Sequence, residues 1–104
     1  MGIMAIACYR AKPGFERKML AAVKQNTPLL ASRGLITDRP VIIMKSENGT
    51  LLEIFEWVSK SAKAKAHTTT EVMALWNQMM QLGKNVKLAS VPEANDVFAN
   101  FRPV

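Results

Sequence analysis

Residues 41–58, VIIMKSENGTLLEIFEWV, predict a β-hairpin. The first four residues are rich in β-branched side chains, which favour strands. They belong to the second strand of the chain, which is predicted over residues 35–45. Asn48 and Gly49 then tolerate the positive φ angles of tight turns. In the return strand, predicted over residues 50–58, apolar side chains point alternately to both faces. We therefore expect this strand to be covered on both faces of its sheet.

The residues before the hairpin predict one strand and one interrupted helix. Residues 3–10 are apolar at both parities, which is typical of a strand covered on both faces. Residues 15–23 then repeat apolar side chains at helical spacing. Pro28 is expected to interrupt this helix, with Thr27 as the cap of a short second piece that ends at Gly34.

The residues after the hairpin predict a broken helix and a last strand. Ser59 is a good N-cap for the first helical segment. Thr68 and Glu71 have the spacing of a capping box, which would restart the helix, and Gly83 is expected to end it. Residues 85–91 predict the fourth strand.

The predicted order is strand, helix, strand, strand, helix, strand, the split βαβ arrangement of ferredoxin-like α+β folds. Right-handed crossovers place both helices on one face of the four-stranded antiparallel sheet. The third strand would place either Phe55 and Trp57 or, if its facing is reversed, Ile54 and Val58 on the other face. Burying each of these side chains contributes about 1.5–3 kcal/mol. The sequence therefore predicts a two-fold homodimer whose two sheets pack face to face.

Composition limits the class of protein. The chain has 104 residues, 49% hydrophobic and 21% charged, which is typical of a single globular domain over residues 1–104. A metal site built on Cys and His would have only Cys8 and His67 as ligands, so no metal is expected. We expect a cytoplasmic protein without a membrane partner, because one free thiol suits a reducing compartment and the N-terminus lacks a signal-peptide pattern.

The net charge of +6 raises the possibility of a nucleic-acid partner. The basic residues are, however, spread over helical segments such as the Ala-rich stretch with Lys60, Lys63 and Lys65, which is typical of a solvated face. An RNA-recognition domain would also need a basic, aromatic third strand with glycines, whereas this strand carries Glu53 and Glu56. No nucleic-acid partner is therefore predicted.

A family resemblance rests on several short patterns along most of the chain. These are Tyr9-Arg10-x-Lys12-Pro13-Gly14, then Glu53-Ile54-Phe55-Glu56-Trp57, Ala66-His67 and Val72-x-Ala74-Leu75-Trp76. With them the chain resembles the dimeric α/β-barrel superfamily, in the group similar to antibiotic-biosynthesis monooxygenases. The resemblance implies a homodimer whose sheets form a barrel, with a mostly apolar pocket between each sheet and its helices. Members include metal-free and flavin-free oxygenases of quinols and polyphenols, haem-degrading enzymes and proteins without known activity.

The resemblance does not extend to the haem-degrading members. Their axial His position falls on Trp76, and Ala7 or Cys8 stands where they have an Asn on the first strand. The cofactor-free oxygenases instead need an apolar box that binds an acidic phenol and excludes water. The ligand-binding residues implied for such a box are Tyr9, Phe55, Trp57 and Trp76, with no cofactor. Met73, Met79 and Met80 either line an adaptable pocket or fill core gaps.

His67 and Glu53 are the predicted catalytic residues. His67 is the natural general-base candidate, or else it bonds the last carbonyls of the helical segment before it. Glu53 inside a barrel would have a raised pKa and could act as acid or base, whereas a salt bridge to Arg39 or Arg10 is the alternative.

Two functions from different classes follow. The first is a homodimeric, metal-free monooxygenase that oxidises an aromatic or quinol-like small molecule. The second is a non-catalytic homodimer of the same fold, which binds an apolar metabolite for sensing or sequestration.

Overall fold

Five antiparallel strands form one sheet in the computed structural model, which describes residues 2–104 and leaves Met1 outside. The elements are β1 (Ile3–Ala11), α1 (Glu16–Ser32), β2 (Ile42–Lys45), β3 (Leu51–Trp57), α2 (Lys60–Ala66), α3 (Thr70–Leu82), β4 (Gly83–Asn85) and β5 (Arg102–Pro103), with 3-10 turns at Leu88–Ser90 and Pro92–Asn95. The strand order is β4-β1-β3-β2-β5. This α+β architecture is compatible with the predicted ferredoxin-like fold, and β5 adds an edge strand.

The predicted hairpin is confirmed, and its register fixes the centre of the sheet. β2 pairs with β3 so that Ile43 lies opposite Glu53, and β3 pairs with β1 so that Glu53 lies opposite Ala7. In the turn, only Gly49 takes a positive φ, of 88°. β2 is shorter than the strand expected over residues 35–45, because the segment before it forms only an isolated bridge with Trp57.

The predicted interruption of the first helix is wrong. α1 runs without a break through Pro28, and Thr27 is buried in its interior rather than acting as a cap. Met19, Val23 and Leu30 are fully buried on one stripe of this helix. Proline costs a helix one hydrogen bond, but continuous burial of this stripe on both sides of Pro28 favours the helix more strongly.

The junction between α2 and α3 differs from the predicted capping box. Ser59 caps α2 as expected, since its Oγ accepts a hydrogen bond from the N–H of Ala62 at 3.2 Å. Thr68 does not cap α3. Its hydroxyl, like that of Thr69, donates to the carbonyl of Lys65 at 2.9 Å and so closes the end of α2. Among residues 2–104, no helix is both long and apolar enough to span a membrane.

The last strand lies earlier than predicted. β4 begins at Gly83, directly after α3, and only its final residue, Asn85, belongs to the segment expected over residues 85–91. A Cβ at Gly83 would collide with the carbonyl oxygen of Arg10 in β1. Glycine therefore does more than end the helix, because it lets the chain approach β1 closely enough to pair at once.

The helices cover one face of the sheet, here called the helix face. Phe55 and Trp57 of β3 are buried there in one cluster with Leu30 of α1 and Val72 of α3. Of the two facings that the sequence left open, the reversed one is therefore observed, with Ile54 on the opposite face.

The opposite face, here called the outer face, is covered at one end by the C-terminal segment of the chain. Cys8 and Leu52 are buried there against Val91. The carboxylate of Glu93 anchors this segment, since it accepts hydrogen bonds from Ser46 Oγ at 2.7 Å and from a main-chain N–H of the hairpin turn at 2.8 Å. At this end the chain itself covers apolar side chains for which the sequence predicted a second sheet.

The remaining part of the outer face is apolar and exposed. Met4, Ile6 and Ile42 expose 52%, 49% and 51% of their surface, respectively. Ile54 lies between Ile6 and Ile42 in the register of the sheet, so these side chains form one continuous patch. Contiguous apolar patches of this kind mark interaction surfaces more often than isolated apolar residues do.

Candidate functional site

A cavity of about 440 Å³ lies between β1 and the pair of helices α2 and α3. It exists because β1 places two small side chains, Ala5 and Ala7, on the helix face beside the large aromatic residues of β3. α3 lines the opposite side with long side chains such as Met73 and Met80. The volume suits a small organic ligand.

The four predicted ligand-binding residues all line this cavity. Tyr9 comes from β1, Phe55 and Trp57 from β3, and Trp76 from α3. The rings of Phe55 and Trp57 pack edge to face with their centroids 5.1 Å apart. The structure thus brings residues from three elements into one aromatic wall, while their role in binding remains a prediction.

A buried chain of hydrogen bonds lies at the inner end of the cavity. Tyr9 Oη donates to Glu53 Oε1 at 2.8 Å, and Asn26 Nδ2 donates to the same oxygen at 3.0 Å. The indole N–H of Trp76 donates to Asn26 Oδ1 at 2.8 Å. The chain ties together β1, β3, α1 and α3, so it fixes the position of each polar group at the cavity.

Glu53 is enclosed behind the lining residues. It is 0% exposed, it is not part of the cavity wall, and its second oxygen, Oε2, has no hydrogen-bond partner among the described residues. Burial raises the pKa of Glu53 to about 6, against the lowering effect of the bonds from Tyr9 and Asn26. Burial and the adjacent Glu53 raise the pKa of Tyr9 above its ordinary value.

The predicted salt-bridge partners of Glu53 bind elsewhere. Arg39 pairs with Glu56 on the outer face, where Nε and Oε1 are 3.0 Å apart, and Arg10 Nη2 donates to Thr50 Oγ1 at 3.2 Å. Glu53 points to the helix face, where Tyr9 and Asn26 donate to it, so the alternative salt bridge to Arg39 or Arg10 is not formed. Its partners are instead neutral hydrogen-bond donors.

His67 lies at the C-terminal end of α2 and lines the cavity from the solvent side. Its Nδ1 is 2.9 Å from the carbonyl oxygen of Lys63. Because a carbonyl oxygen only accepts, Nδ1 carries the proton of this bond, which leaves Nε2 as an acceptor in the neutral ring. The predicted bond to a helix carbonyl is therefore confirmed. The ring also packs edge to face on Trp76, at 5.0 Å between centroids.

Sequence reasoning missed several lining residues. Asn26 is the most consequential, because it joins Glu53 to Trp76 and is 2% exposed. A polar residue on the apolar stripe of an uninterrupted helix would have been the signal, but the expected break at Pro28 concealed it. Lys63 also lines the cavity, at its solvent side.

The methionines that the sequence left undecided also line the cavity. Met73, Met79 and Met80 of α3 all contribute to its wall. Met79 is in addition 1% exposed and belongs to the core, whereas Met80 is 38% exposed. Flexible thioether side chains allow this wall to adapt its shape to a ligand.

The open edge of β1 adds main-chain polar groups to the cavity. The carbonyl of Cys8 accepts a hydrogen bond from the N–H of Val86 at 3.1 Å, on the side away from β3. Since main-chain groups alternate in direction along a strand, the N–H and C=O of Ile6 also point away from β3. Within the described residues, no strand pairs with Ile6 on that side. Ile6 lines the cavity, so these groups lie at its rim.

Comparison with known proteins identifies no relative: no family model, no curated protein and no solved structure matches this chain.

Proposed function

We propose that this protein is a monooxygenase that oxidises an aromatic, quinol-like small molecule in the cavity without a metal or flavin. The observation that carries the proposal is the cavity itself, in which aromatic rings from β3 and α3 surround a small number of polar groups. Flat aromatic ligands stack on such walls, and phenolic hydroxyl groups need a few hydrogen-bond partners. The resemblance to the monooxygenase-like group of dimeric α/β barrels supports the same reaction.

The proposed reaction converts a quinol and O₂ into a hydroxyquinone and water. One oxygen atom is inserted at a ring C–H bond, and the other leaves as water. The ring is itself oxidised to the quinone level, so the substrate supplies all four electrons and no external reductant is needed. The protein has to remove a phenolic proton, hold the resulting anion and exclude water. His67 and Glu53 remain the candidate proton acceptors.

The second candidate function is binding without turnover. The enclosure of Glu53 favours it, because the one buried carboxylate near the cavity does not reach a ligand directly. In that case the polar groups of Tyr9 and Asn26 would orient an apolar metabolite for sensing or sequestration. The two functions share the cavity and differ in whether O₂ oxidises the bound compound.

The proposal includes a homodimer. The exposed apolar patch of Met4, Ile6, Ile42 and Ile54 supports pairing of two outer faces across a two-fold axis, as in the dimeric barrels that the chain resembles. The C-terminal segment would then form the border of the interface rather than a separate layer. A cytoplasmic location also belongs to the proposal, and the lone buried thiol of Cys8 supports it.

The direct test is oxygen consumption by the pure protein with a panel of quinols and polyphenols. The oxygenase proposal expects uptake above the uncatalysed rate for at least one compound and one molecule of water formed per O₂. Ligand binding measured by quenching of Trp57 and Trp76 fluorescence, without uptake for any bound compound, would instead establish the binding function. Neither binding nor uptake across the panel would refute both.

A further inference from the structure

We propose that Tyr9 relays the phenolic proton of the ligand to Glu53, so that the enclosed carboxylate is the proton acceptor although it never touches the ligand. The inference rests on the proposed function, because it assumes a phenolic ligand in the cavity. It starts from the unusual position of Glu53, which is fully buried and lies directly behind a residue of the cavity wall, and whose Oε2 has no hydrogen-bond partner within residues 2–104.

Tyr9 is the group that connects Glu53 to the cavity. Its hydroxyl donates to Glu53 Oε1 at 2.8 Å, and Tyr9 itself lines the cavity. A tyrosine hydroxyl has one proton to donate and two lone pairs to accept. Because the donor is already directed at Glu53, the oxygen can bind a ligand only as an acceptor. A phenolic O–H of the ligand is the matching donor.

The transfer moves two protons and leaves the total charge unchanged. The ligand O–H gives its proton to Tyr9 Oη while the Tyr9 O–H bond breaks and its proton passes to Glu53 Oε1. The negative charge moves from the buried carboxylate to the ligand oxygen. The proton now on Tyr9 Oη can then donate a hydrogen bond to this ligand oxygen. Glu53 is then neutral, which removes the cost of keeping a charge in an apolar environment.

The surroundings of Glu53 favour this direction. Tyr9 and Asn26 donate hydrogen bonds to it, and Ala7 of β1 and Ile43 of β2 lie opposite it in the sheet. None of these four carries a positive charge that would hold the carboxylate ionised. Burial raises the pKa of Glu53 to about 6, so it is ionised at pH 7 and able to take a proton. Asn26 donates one hydrogen bond and so keeps the carboxylate aligned with Tyr9.

The probe for the relay is 4-nitrophenol, because only its phenolate absorbs visible light. We would measure the phenolate fraction of the bound probe at several pH values between 6.5 and 8, above the pKa of Glu53, in wild type, Glu53→Gln and Tyr9→Phe. Glu53→Gln keeps an oxygen for both hydrogen bonds but cannot take up a proton. Glu56→Gln is the matched control, since it makes the same change on the outer face, where Glu56 pairs with Arg39.

The relay keeps the shared proton inside the complex, so it predicts a phenolate fraction in wild type and Glu56→Gln that stays nearly constant over this pH range. In Glu53→Gln the bound probe exchanges its proton with the solvent, so its ratio of phenolate to phenol should rise about tenfold per pH unit. Tyr9→Phe should show no pH-independent phenolate fraction either. Without a relay the phenolate fraction of wild type would also follow pH, displaced to higher pH than in Glu53→Gln, because an ionised Glu53 behind the cavity repels a phenolate. That result would overturn the relay while leaving the cavity intact.

Two further outcomes are decisive. If His67→Gln alone abolishes the bound phenolate, His67 is the proton acceptor and the relay is wrong. If neither 4-nitrophenol nor any quinol quenches the fluorescence of Trp57 and Trp76 in wild type, the relay fails together with the proposed function. Two variants that alter different partners of the same hydrogen bond, Glu53→Gln and Tyr9→Phe, guard against misfolding of either one, and their near-ultraviolet circular dichroism would verify the packing around Trp76.

Discussion

The indole N–H of Trp76 holds the amide of Asn26 in one orientation, through a 2.8 Å hydrogen bond between residues fifty positions apart. With Oδ1 occupied by this donor, the Nδ2 group is turned towards Glu53, where it donates at 3.0 Å. The orientation therefore decides whether Glu53 faces a donor or an acceptor. Four predictions follow from this network, the cavity and the outer face.

Asn26→Asp should destabilise the protein in a pH-dependent way. An aspartate still accepts from Trp76, but it places a second carboxylate against Glu53 where a donor stood, which costs about 1–3 kcal/mol of unfolding free energy at pH 8. The loss should shrink at pH 5, where Glu53, with its pKa of about 6, is protonated. Urea unfolding at both pH values measures it. An equal loss at the two pH values would show that Glu53 is not the cause.

Glu53→Gln should stabilise the protein at neutral pH. The pKa of Glu53 is about 6 in the folded protein and lies above its ordinary value of 4.5. The folded state therefore binds more protons than the unfolded state between these values, and stability falls as pH rises through that window. The stabilisation by Gln should reach about 2 kcal/mol above pH 7 and vanish below pH 4.

Denaturant unfolding of wild type and Glu53→Gln from pH 4 to 8 measures this difference. The two proteins are compared because other carboxyl groups make the unfolding free energy rise with pH. Glu56 is one of them, since the hydrogen bond from Arg39 lowers its pKa. A constant difference across the whole range would contradict the raised pKa of Glu53.

Ala5→Leu should close the cavity without unfolding the protein. Ala5 lines the cavity and is only half-buried, so a larger side chain can occupy existing space rather than displace the core. We expect at least a tenfold loss of binding for every aromatic ligand, with unfolding free energy changed by less than about 1 kcal/mol. Ala64→Leu, on the exposed side of α2, is the control that should retain binding. Unchanged affinity in Ala5→Leu would place the ligand elsewhere.

Ile42→Glu and Met4→Glu should convert the proposed dimer into monomers. Both side chains are about half exposed in the single chain, so a charge is tolerated there until two outer faces meet, when it becomes buried without a partner. Analytical ultracentrifugation at micromolar concentration should show a dimer for wild type and a monomer for each variant. Ala21→Glu, on the exposed side of α1, should remain dimeric. A folded wild-type monomer would remove the sheet-to-sheet interface from the proposal.

Strand alternation and the Asn-Gly turn were sufficient to predict the hairpin and the order of the main elements, since both are local signals. They could not decide which parity of β3 faces the helices, because Phe55 and Ile54 are both apolar. The observed facing also buries Glu53, whose hydrogen-bond partner Asn26 lies 27 positions earlier in the chain. Pro28 made the residues around Asn26 resemble a loop, so Asn26, unlike Tyr9 and Glu53, was not among the predicted site residues.

The short last strand has a similar explanation. Residues 85–91 have strand-like composition, but pairing with β1 begins at Gly83 and ends after three residues. A tertiary contact ends the strand early, because Val91 lies against the outer face and packs on Cys8 and Leu52. Local propensity does not contain that information.

The early end of β4 leaves the peptide group of Ile6 at the rim of the cavity. A ligand anchored there would be recognised by a main-chain N–H and C=O rather than by a side chain. Replacing Ile6 by alanine would leave these main-chain groups in place, so alanine scanning would not detect their contribution to ligand binding. Substitutions in the surrounding side chains could change which compound is accepted while the anchor persists.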